Sequence, residues 1–350
     1  MRHGSERYIK CVVWDLDNTL WKGILSETDQ VEPRADALNF IRLLDSRGIL
    51  QSIASKNDHE PAMKKLREFG IDNYFLFPQI NWGSKAESVK KITDLINIGI
   101  DTVAFIDDQP FEREEVNFSH PQVLCIDGTN LDPLPDMPEF NPKFVTEFTK
   151  NRRLIYLDDI RRNRSEEEFQ GPKEEFLSTL EMTLSIAQAK EKDLKRAEEL
   201  TVRTHQLNST GYAYSYEELN IFRQSDRHTL LISTLEDKFG SYGRIGLTLL
   251  ERSPDVWTIK LLLMSCRVMS RGVGSVMLNY LRQEAGNQGV RLQAEFLSTD
   301  RNRMMYISYK FAHFREIDQR ENIAILENDL TQAHGFPKYM RIILPSSFEK

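Results

Sequence analysis

Cysteine is scarce in this chain of 350 residues, which has only Cys11, Cys125 and Cys266, all far apart. An odd number of separated cysteines excludes a disulfide framework and the short ligand spacings of a zinc site. Such cysteine usage is typical of a protein in a reducing compartment. We therefore expect a cytoplasmic location.

An excess of positive charge and a long apolar run are also lacking. The chain has 46 Lys and Arg against 53 Asp and Glu, a formal charge of −7. Binding to a phosphate backbone normally needs a basic balance, so we expect no nucleic-acid partner. No apolar stretch approaches the roughly 20 residues that span a bilayer. The polar start also lacks the apolar core of a signal peptide, so we expect no membrane association.

Strand and helix patterns alternate through residues 1–130. Short apolar runs such as Cys11–Asp15 and Thr102–Ile106 alternate with amphipathic stretches such as Ala35–Ser46 and Lys85–Ile96. This alternation predicts an α/β domain with a parallel sheet and right-handed crossovers.

The composition changes after this region. Residues 131–175 begin rich in proline and continue highly charged, which predicts a connector with a solvated helix. Residues 176–350 contain further patterns, among them the strand-like run Val256–Met264 and the helical run Val273–Ala285. A chain of this length usually forms two or three domains, so we expect a second domain here.

Two carboxylates, Asp15 and Asp17, directly follow the first predicted strand. The carboxyl ends of strands are where doubly wound sheets bind their ligands. One carboxylate of such a pair can attack phosphorus while the other gives and takes a proton. The pair therefore indicates a phosphoryl-transfer site.

Three further motifs follow at later strand or helix junctions. The Ser55 hydroxyl can hold a phosphate oxygen, Lys85 can neutralise the phosphate, and Asp107 and Asp108 supply more carboxylates. An oxygen-only site of this kind suits Mg²⁺. Each motif alone is usually a chance pair, a helix cap or a surface residue, but their order together favours phosphoryl transfer.

This pattern resembles the haloacid-dehalogenase (HAD) superfamily, and the stretch KCVVWDLDNTLWKGIL is similar to its FkbH-like family. The strings IASKN and FIDDQPFE, at residues 53–57 and 105–112, extend the resemblance. It implies a sheet with little or no cap. It also implies these roles: Asp15 as the nucleophile that forms a phosphoaspartate, Asp17 as general acid/base, Ser55, Lys56, Asn57 and Lys85 as phosphate ligands, and Asp15, Asp107, the Asp17 carbonyl and Asp108 around Mg²⁺.

A glycine-rich loop, Ser265–Gly274 (SCRVMSRGVG), separates the predicted strand Val256–Met264 from a helix. Such a loop presents backbone N–H groups to an anion. The arrangement resembles the GNAT acyltransferase fold, in which this loop holds the pyrophosphate and pantetheine of coenzyme A, and the resemblance implies an α+β domain. Met269 replaces the usual Gln or Arg, which favours a phosphopantetheine arm on a carrier protein over acetyl-CoA.

Strings in the second half also resemble FkbH-like proteins, namely THQLN, DKFGSYG and SCR. The chain departs from the family pattern at His205, Ser241 and Gly274, where Asn, Asp and Glu are common. Members of the family are associated with taking a glyceryl unit from 1,3-bisphosphoglycerate, removing its phosphate and loading the acyl group onto an acyl carrier protein. The resemblance implies this activity for a polyketide-type pathway, with a phosphopantetheinylated carrier as partner.

Cys266 is the candidate thiol, because the neighbouring Arg267 would stabilise a thiolate. There are two alternatives: Cys266 is a small buried hydrophobic residue, or the carrier's own thiol attacks without help. His205 is a candidate base, since an imidazole titrates near neutral pH, and a surface or packing histidine is the alternative. The other predicted acyl or pantetheine contacts are Gln206, Asn208, Arg267, Arg271, Gly272 and Gly274.

Two other functions remain open from the sequence. One is a stand-alone Mg²⁺-dependent phosphatase of a small phosphorylated metabolite, whose second half only binds. The other is a non-catalytic carrier-binding protein that keeps the motifs as relics.

Overall fold

The computed structural model describes residues 8–28, 30–332 and 335–345. The chain forms two compact units, Met1–Ile160 and Arg161–Lys350. The proline-rich start of the predicted connector belongs to the first unit, where Leu131 and Phe140 are buried in the core.

The first unit is built on a five-stranded parallel sheet in the order β5-β4-β1-β6-β7. Its elements are β1 (Cys11–Trp14), β2 (Trp21–Lys22), β3 (Glu32–Pro33), α1 (Ala35–Ser46), β4 (Leu50–Ser55), α2 (His59–Glu68), β5 (Gln79–Ile80), α3 (Lys85–Ile96), β6 (Val103–Asp107), α4 (Pro110–Ser119), β7 (Leu124–Asp127) and α5 (Glu147–Lys150). A further helix, α6 (Arg152–Glu168), contains the boundary between the units.

The order of these strands determines where a ligand can bind. The chain starts in the middle of the sheet at β1, proceeds to β4 and β5 on one side, and then to β6 and β7 on the other. The carboxyl ends of β1 and β6 therefore lie side by side at the switch point of the sheet. All four residues of β1 are buried, as expected for a central parallel strand covered on both faces.

Between β1 and α1 the described residues, 15–28 and 30–34, form only the short antiparallel pair β2-β3, here called the flap. The predicted absence of a large cap is therefore confirmed. The apolar run Tyr74–Phe77 also predicts a short strand, and this prediction is wrong, because a 3-10 turn ends at Tyr74 and Phe77 has a φ of 51°. Phe75 and Leu76 are buried without forming a strand, so their apolar character reflects packing.

The second unit contains an eight-stranded mixed sheet in the order β13-β14-β12-β11-β10-β9-β8-β15. Its elements are α7 (Lys173–Thr179), β8 (Met182–Gln188), α8 (Leu194–Arg203), α9 (Tyr216–Gln224), β9 (His228–Asp237), β10 (Gly240–Arg252), β11 (Val256–Met264), α10 (Val273–Gln288), β12 (Arg291–Leu297), α11 (Arg303–Phe311), β13 (Phe314–Arg320), β14 (Ile323–Asn328) and β15 (Met340–Ile343). This is the predicted α+β class. Every described helix of the chain is too short or too polar to cross a bilayer.

The parallel strands β11 and β12 pair only at their beginnings, through Val256–Ile259 and Arg291–Ala294. Further along, the segment 207–209 lies between them. The Ser209 amide donates to the Leu262 carbonyl at 3.0 Å, and the Leu297 amide donates to the Ser209 carbonyl at 2.9 Å. The chain thus fills the gap in its own sheet.

Candidate active site

Three carboxylates converge at the carboxyl ends of β1 and β6. Asp15 follows β1, Asp107 ends β6 and Asp108 comes next, and one oxygen of each lies within 4.8 Å of the others. Asp15 and Asp107 are buried, while Asp108 is half-buried. The switch point of the sheet therefore brings together the metal-binding side chains that the motifs predicted.

Lys85, at the start of α3, lies between two of these carboxylates. Its Nζ is 2.8 Å from Asp15 Oδ1 and 2.6 Å from Asp107 Oδ2. Burial alone would lower the pKa of Lys85, but the two carboxylates outweigh it and raise this pKa above its ordinary value. Ser84 orients the helix start by accepting a hydrogen bond from the Ala86 amide at 3.2 Å.

The acid groups of the site are also perturbed. Burial raises the pKa of Asp15 to about 7, with Lys85 opposing and Asp107 adding to the increase. Burial, followed by the charge of Asp107, raises the pKa of Asp108 above its ordinary value. A carboxylate kept in such a site needs compensating positive charge when it is ionised.

The donor set fits a hard divalent cation. Three ionised carboxylates and one ammonium leave a charge of −2 among the atoms of the cluster. All the ligand atoms are oxygens, which Mg²⁺ prefers. Asp15, Asp107 and Asp108 are therefore the residues that would hold the ion.

Asp17 is held in one orientation by three donors. Its Oδ1 accepts hydrogen bonds from the Trp21 indole at 2.8 Å and the Leu25 amide at 3.0 Å. Its Oδ2 accepts one from the Asn57 amide group at 2.9 Å, and that group also lies 3.3 Å from Ser55 Oγ. Asn57, predicted to bind phosphate, thus connects the Ser55 motif to the candidate acid/base.

The contact from the flap makes Trp21 a testable positioning residue. We expect Trp21→Phe to lower phosphate release about tenfold, because Asp17 loses a hydrogen-bond donor that orients its Oδ1. Trp14→Phe is the matched control, since Trp14 is also fully buried but its indole donates to the Gln51 side chain at 3.1 Å and not to Asp17. Both variants should lose about 1–2 kcal/mol of unfolding free energy in denaturant titrations. Equal turnover of the two variants would contradict the positioning role.

Two residues that the sequence analysis missed support the loop after β1. Thr19 Oγ1 accepts a hydrogen bond from the Asp108 amide at 3.0 Å. Arg34 donates to the carbonyls of Asn18 and Thr19, both at 3.2 Å. Thr19 belongs to the string DNT at residues 17–19, so the sequence could have identified it as a site residue. Nothing in the sequence distinguishes Arg34.

Lys56 points to a different partner from the one predicted. Its Nζ lies 2.9 Å from Glu112 Oε1 on α4, with Glu112 buried. Its contact with phosphate stays a prediction, and the ion pair shows that it connects β4 to α4.

In the second unit, Cys266 opens a 3-10 turn directly after β11 and is exposed. The alternative of a small buried Cys266 is therefore wrong. The Ser265 amide donates to the Ile245 carbonyl at 2.7 Å, and Arg267 donates to the Tyr242 carbonyl at 3.0 Å. The turn thus lies along β10.

The glycine-rich loop is shaped by close packing. Gly272 has a φ of 80°, and a Cβ placed there would lie 2.2 Å from the Tyr339 hydroxyl. A Cβ on Gly274 would lie 2.8 Å from Met264 Cε. Arg271 is buried, with its Nη1 3.0 Å from Glu166 Oε2. These three residues have packing roles, and their predicted ligand contacts stay predictions.

The string THQLN divides into exposed and buried residues. His205 and Gln206 are exposed, as a base or a ligand contact requires, and their roles stay predictions. Asn208 is fully buried, and its side-chain oxygen accepts hydrogen bonds from the amides of Thr210 and Gly211 at 3.1 and 2.9 Å. This placement assigns Asn208 to shaping a turn, and it does not support the predicted ligand contact.

The sequence matches no protein-family model and no curated protein. Similar solved structures include the N-terminal part of a Bacteroides fragilis protein that contains a phosphatase domain complexed with Mg, at 27% identity and a TM-score of 0.30, covering 38% of this chain and 39% of that one. They also include the Escherichia coli ribosomal-protein-S18-alanine N-acetyltransferase, at 17% identity and a TM-score of 0.35, covering 43% of this chain and 97% of that one. A third is the Thermoplasma acidophilum PaiA N-acetyltransferase in complex with coenzyme A, at 16% identity and a TM-score of 0.35, covering 42% of this chain and 99% of that one. Each of these likenesses covers less than half of this chain. The predicted fold class agrees with the parallel sheet of the first unit and the mixed sheet of the second.

Proposed function

We propose that the first unit is an Mg²⁺-dependent phosphatase that uses Asp15 as its nucleophile. The observation that carries this proposal is the convergence of Asp15, Asp107 and Asp108 around a shared space, with Lys85 bonded to two of them. Bound Mg²⁺ would neutralise charge on the phosphoryl oxygens. Hydrolysis of phosphate monoesters is among the slowest uncatalysed reactions, so a covalent route on a charged site gives a large advantage.

Side chains of the first unit carry out the phosphatase reaction in two steps. An Asp15 oxygen attacks phosphorus, the bond from phosphorus to the leaving oxygen breaks, and Asp17 gives that oxygen a proton. Asp17 then takes a proton from water, the water oxygen attacks the phosphoaspartate, and Asp15 and inorganic phosphate are released. Lys85 favours the ionised nucleophile, and the donors around Asp17 keep it oriented for both transfers.

We further propose, from the resemblance to the FkbH-like family, that the substrate is a phosphoglyceryl unit from 1,3-bisphosphoglycerate. The Cys266 thiolate attacks the acyl carbon, the carbon–oxygen bond to phosphate breaks, and a thioester forms as phosphate leaves. The thiol of a phosphopantetheine arm then takes the acyl group and frees Cys266. Removal of the remaining phosphate is the reaction assigned to Asp15. The exposed position of Cys266 supports this route.

Intact mass spectrometry of a phosphopantetheinylated carrier tests the proposal. Incubation with the protein, 1,3-bisphosphoglycerate and Mg²⁺ should add a glyceryl group without phosphate to the carrier. Chelation of Mg²⁺ with EDTA should leave the phosphoglyceryl form, because only the Asp15 step depends on the ion. Phosphate release with an unmodified carrier would instead identify a stand-alone phosphatase. A chain that does neither is a binding protein.

A further inference from the structure

A lysine and a buried glutamate form an ion pair across the carboxyl end of β1. Lys56 directly follows β4 and Glu112 lies in the first turn of α4, with Lys56 Nζ 2.9 Å from Glu112 Oε1. The strands β4 and β6 border β1 on opposite sides, and α4 follows β6. The pair therefore spans the end of β1, where the chain continues to Asp15 and Asp17.

The strand register places Lys56 level with Asp17. In the parallel pair of β1 and β4, Trp14 lies opposite Ile53. Counting three residues on from that pair brings Asp17 beside Lys56, and the 2.9 Å contact of the Asn57 side chain with Asp17 agrees with this count. Lys56 thus begins two residues, or roughly 6–7 Å, beyond the level of the nucleophile.

The geometry of phosphoryl transfer places the leaving group on the same side. The attacking and leaving oxygens lie roughly in line through phosphorus. The attacking Asp15 is buried, so the leaving oxygen points away from it, toward Asp17 and solvent. The Lys85 side chain is 6% exposed, whereas that of Lys56 is 35% exposed. Of these two lysines, Lys85 is placed for the transferred phosphate and Lys56 for the leaving group.

The Lys56 ammonium keeps donors for a ligand. An ammonium group has three N–H donors, and the contact with Glu112 uses one of them. The Glu112 side chain is 8% exposed, and its Oε2 accepts no hydrogen bond from the residues that the structure describes. Such a pair is weak evidence for a stabilising role, because burying the carboxylate offsets the attraction. The pair instead holds the Lys56 ammonium at a fixed position beside the site.

We propose that Lys56 selects phosphate monoesters of hydroxy acids by binding an acyl oxygen of the leaving group, and that Glu112 positions Lys56 for this contact. The inference rests on the proposed function, because it names the class of monoester that the Asp15 site hydrolyses. A phosphoglyceryl unit fits, since its acyl oxygen lies at the other end of a three-carbon leaving group. Glycerol 3-phosphate has a hydroxymethyl group there and lacks this charge-assisted contact.

Calorimetric titration of the full-length Asp15→Asn chain with Mg²⁺ tests the proposal, since it measures binding without turnover. The ligands are 3-phosphoglycerate, its methyl ester and glycerol 3-phosphate. Lys56→Gln should reduce the preference for 3-phosphoglycerate over glycerol 3-phosphate at least about tenfold, because a hydrogen bond between charged groups is lost. Absence of this preference in the chain with Lys56 would overturn the proposal.

Lys22→Gln, on the flap, is the matched control. Trp21 faces Asp17, and successive side chains of a strand point to opposite faces, so the exposed Lys22 points away from Asp17. The substitution removes the same charge near the site and should keep the preference. An equal loss of preference in the Lys22 and Lys56 variants would overturn the proposal, because only the net charge of the region would then matter.

Glu112→Gln distinguishes positioning from a merely structural role. It should reduce the preference about threefold or more while Lys56 is present, and it should have no further effect in the Lys56→Gln chain. The same effect in both backgrounds would show that Glu112 does not act through Lys56. Lys56 is partly exposed, so its own variant tests the selection even if Glu112→Gln does not fold.

The methyl ester identifies the oxygen that is bound. If it binds like 3-phosphoglycerate, an uncharged acyl oxygen is enough, as in a thioester. If it binds like glycerol 3-phosphate, Lys56 recognises the free carboxylate. Failure of the proposed phosphatase reaction would appear as absence of phosphate release by the unsubstituted chain and would leave these binding ratios unaffected, so the two failures are distinguishable.

Discussion

Replacing Asp15 with Asn is expected to lower phosphate release at least about a thousandfold, because an amide cannot form the phosphoaspartate. The same site also determines how stable the folded variant should be. Burial raises the pKa of Asp15 to about 7, so keeping this carboxylate ionised costs stability that a neutral Asn does not. Lys85 also retains its contact with Asp107 at 2.6 Å. A phosphate-release assay and a thermal melt at neutral pH measure the two effects.

Asp127→Asn is the matched control for this substitution. Asp127 ends β7, next to β6, with a side chain 54% exposed and 3.3 Å from Arg113. Loss of the Asp127 carboxylate should leave the rate of phosphate release unchanged. Normal turnover of the Asp15 variant would show that another group attacks phosphorus.

Replacing Cys266 with Ala is expected to lower carrier loading at least about a hundredfold, because the acyl group loses its protein-bound thioester. The exposed turn should fold normally without the thiol, since its backbone bonds come from Ser265 and from the residues around β10. Intact masses of the carrier and of the protein, taken over time, measure loading and the protein adduct together.

Cys125→Ala is the control for the thiol, because Cys125 lies on β7 in the other unit. Phosphate release from a simple monoester should be unchanged in both variants, which separates the two reactions. Loading at the normal rate by the Cys266 variant would mean that the carrier thiol attacks the donor directly.

The predicted catalytic residues came together because one rule of parallel sheets places them. Motifs at the carboxyl ends of β1 and β6 must meet when those strands are neighbours, so Asp15 and Asp107 could be paired from the sequence. The contact from Trp21 to Asp17 depends on the path of the flap, and Arg34 reaches two carbonyls 15 and 16 residues away. No local pattern determines such contacts.

Patterns of charged residues predicted the structure less well than the rule for parallel sheets. The run of charged residues in α6 predicted a solvated helix, yet Arg162 is buried, 2.6 Å from Asp237 and 3.8 Å from the centre of the Tyr242 ring. The partner in this buried ion pair, Asp237, lies 75 residues further along the chain. Composition alone could not distinguish Arg162 from its exposed neighbours.

The segment at 207–209 has a consequence for ligands that bind as an extra strand. Amides along the diverging parts of β11 and β12 already donate within the chain, Leu262 to the Ser209 hydroxyl at 3.0 Å and Met264 to the Leu207 carbonyl at 2.9 Å. A flexible arm that contains amide groups therefore cannot pair with β11 or β12 in this gap, and it gains no row of backbone hydrogen bonds there. In the proposed acyl transfer, the arm that brings a thiol to Cys266 would therefore be held by contacts outside the gap between β11 and β12.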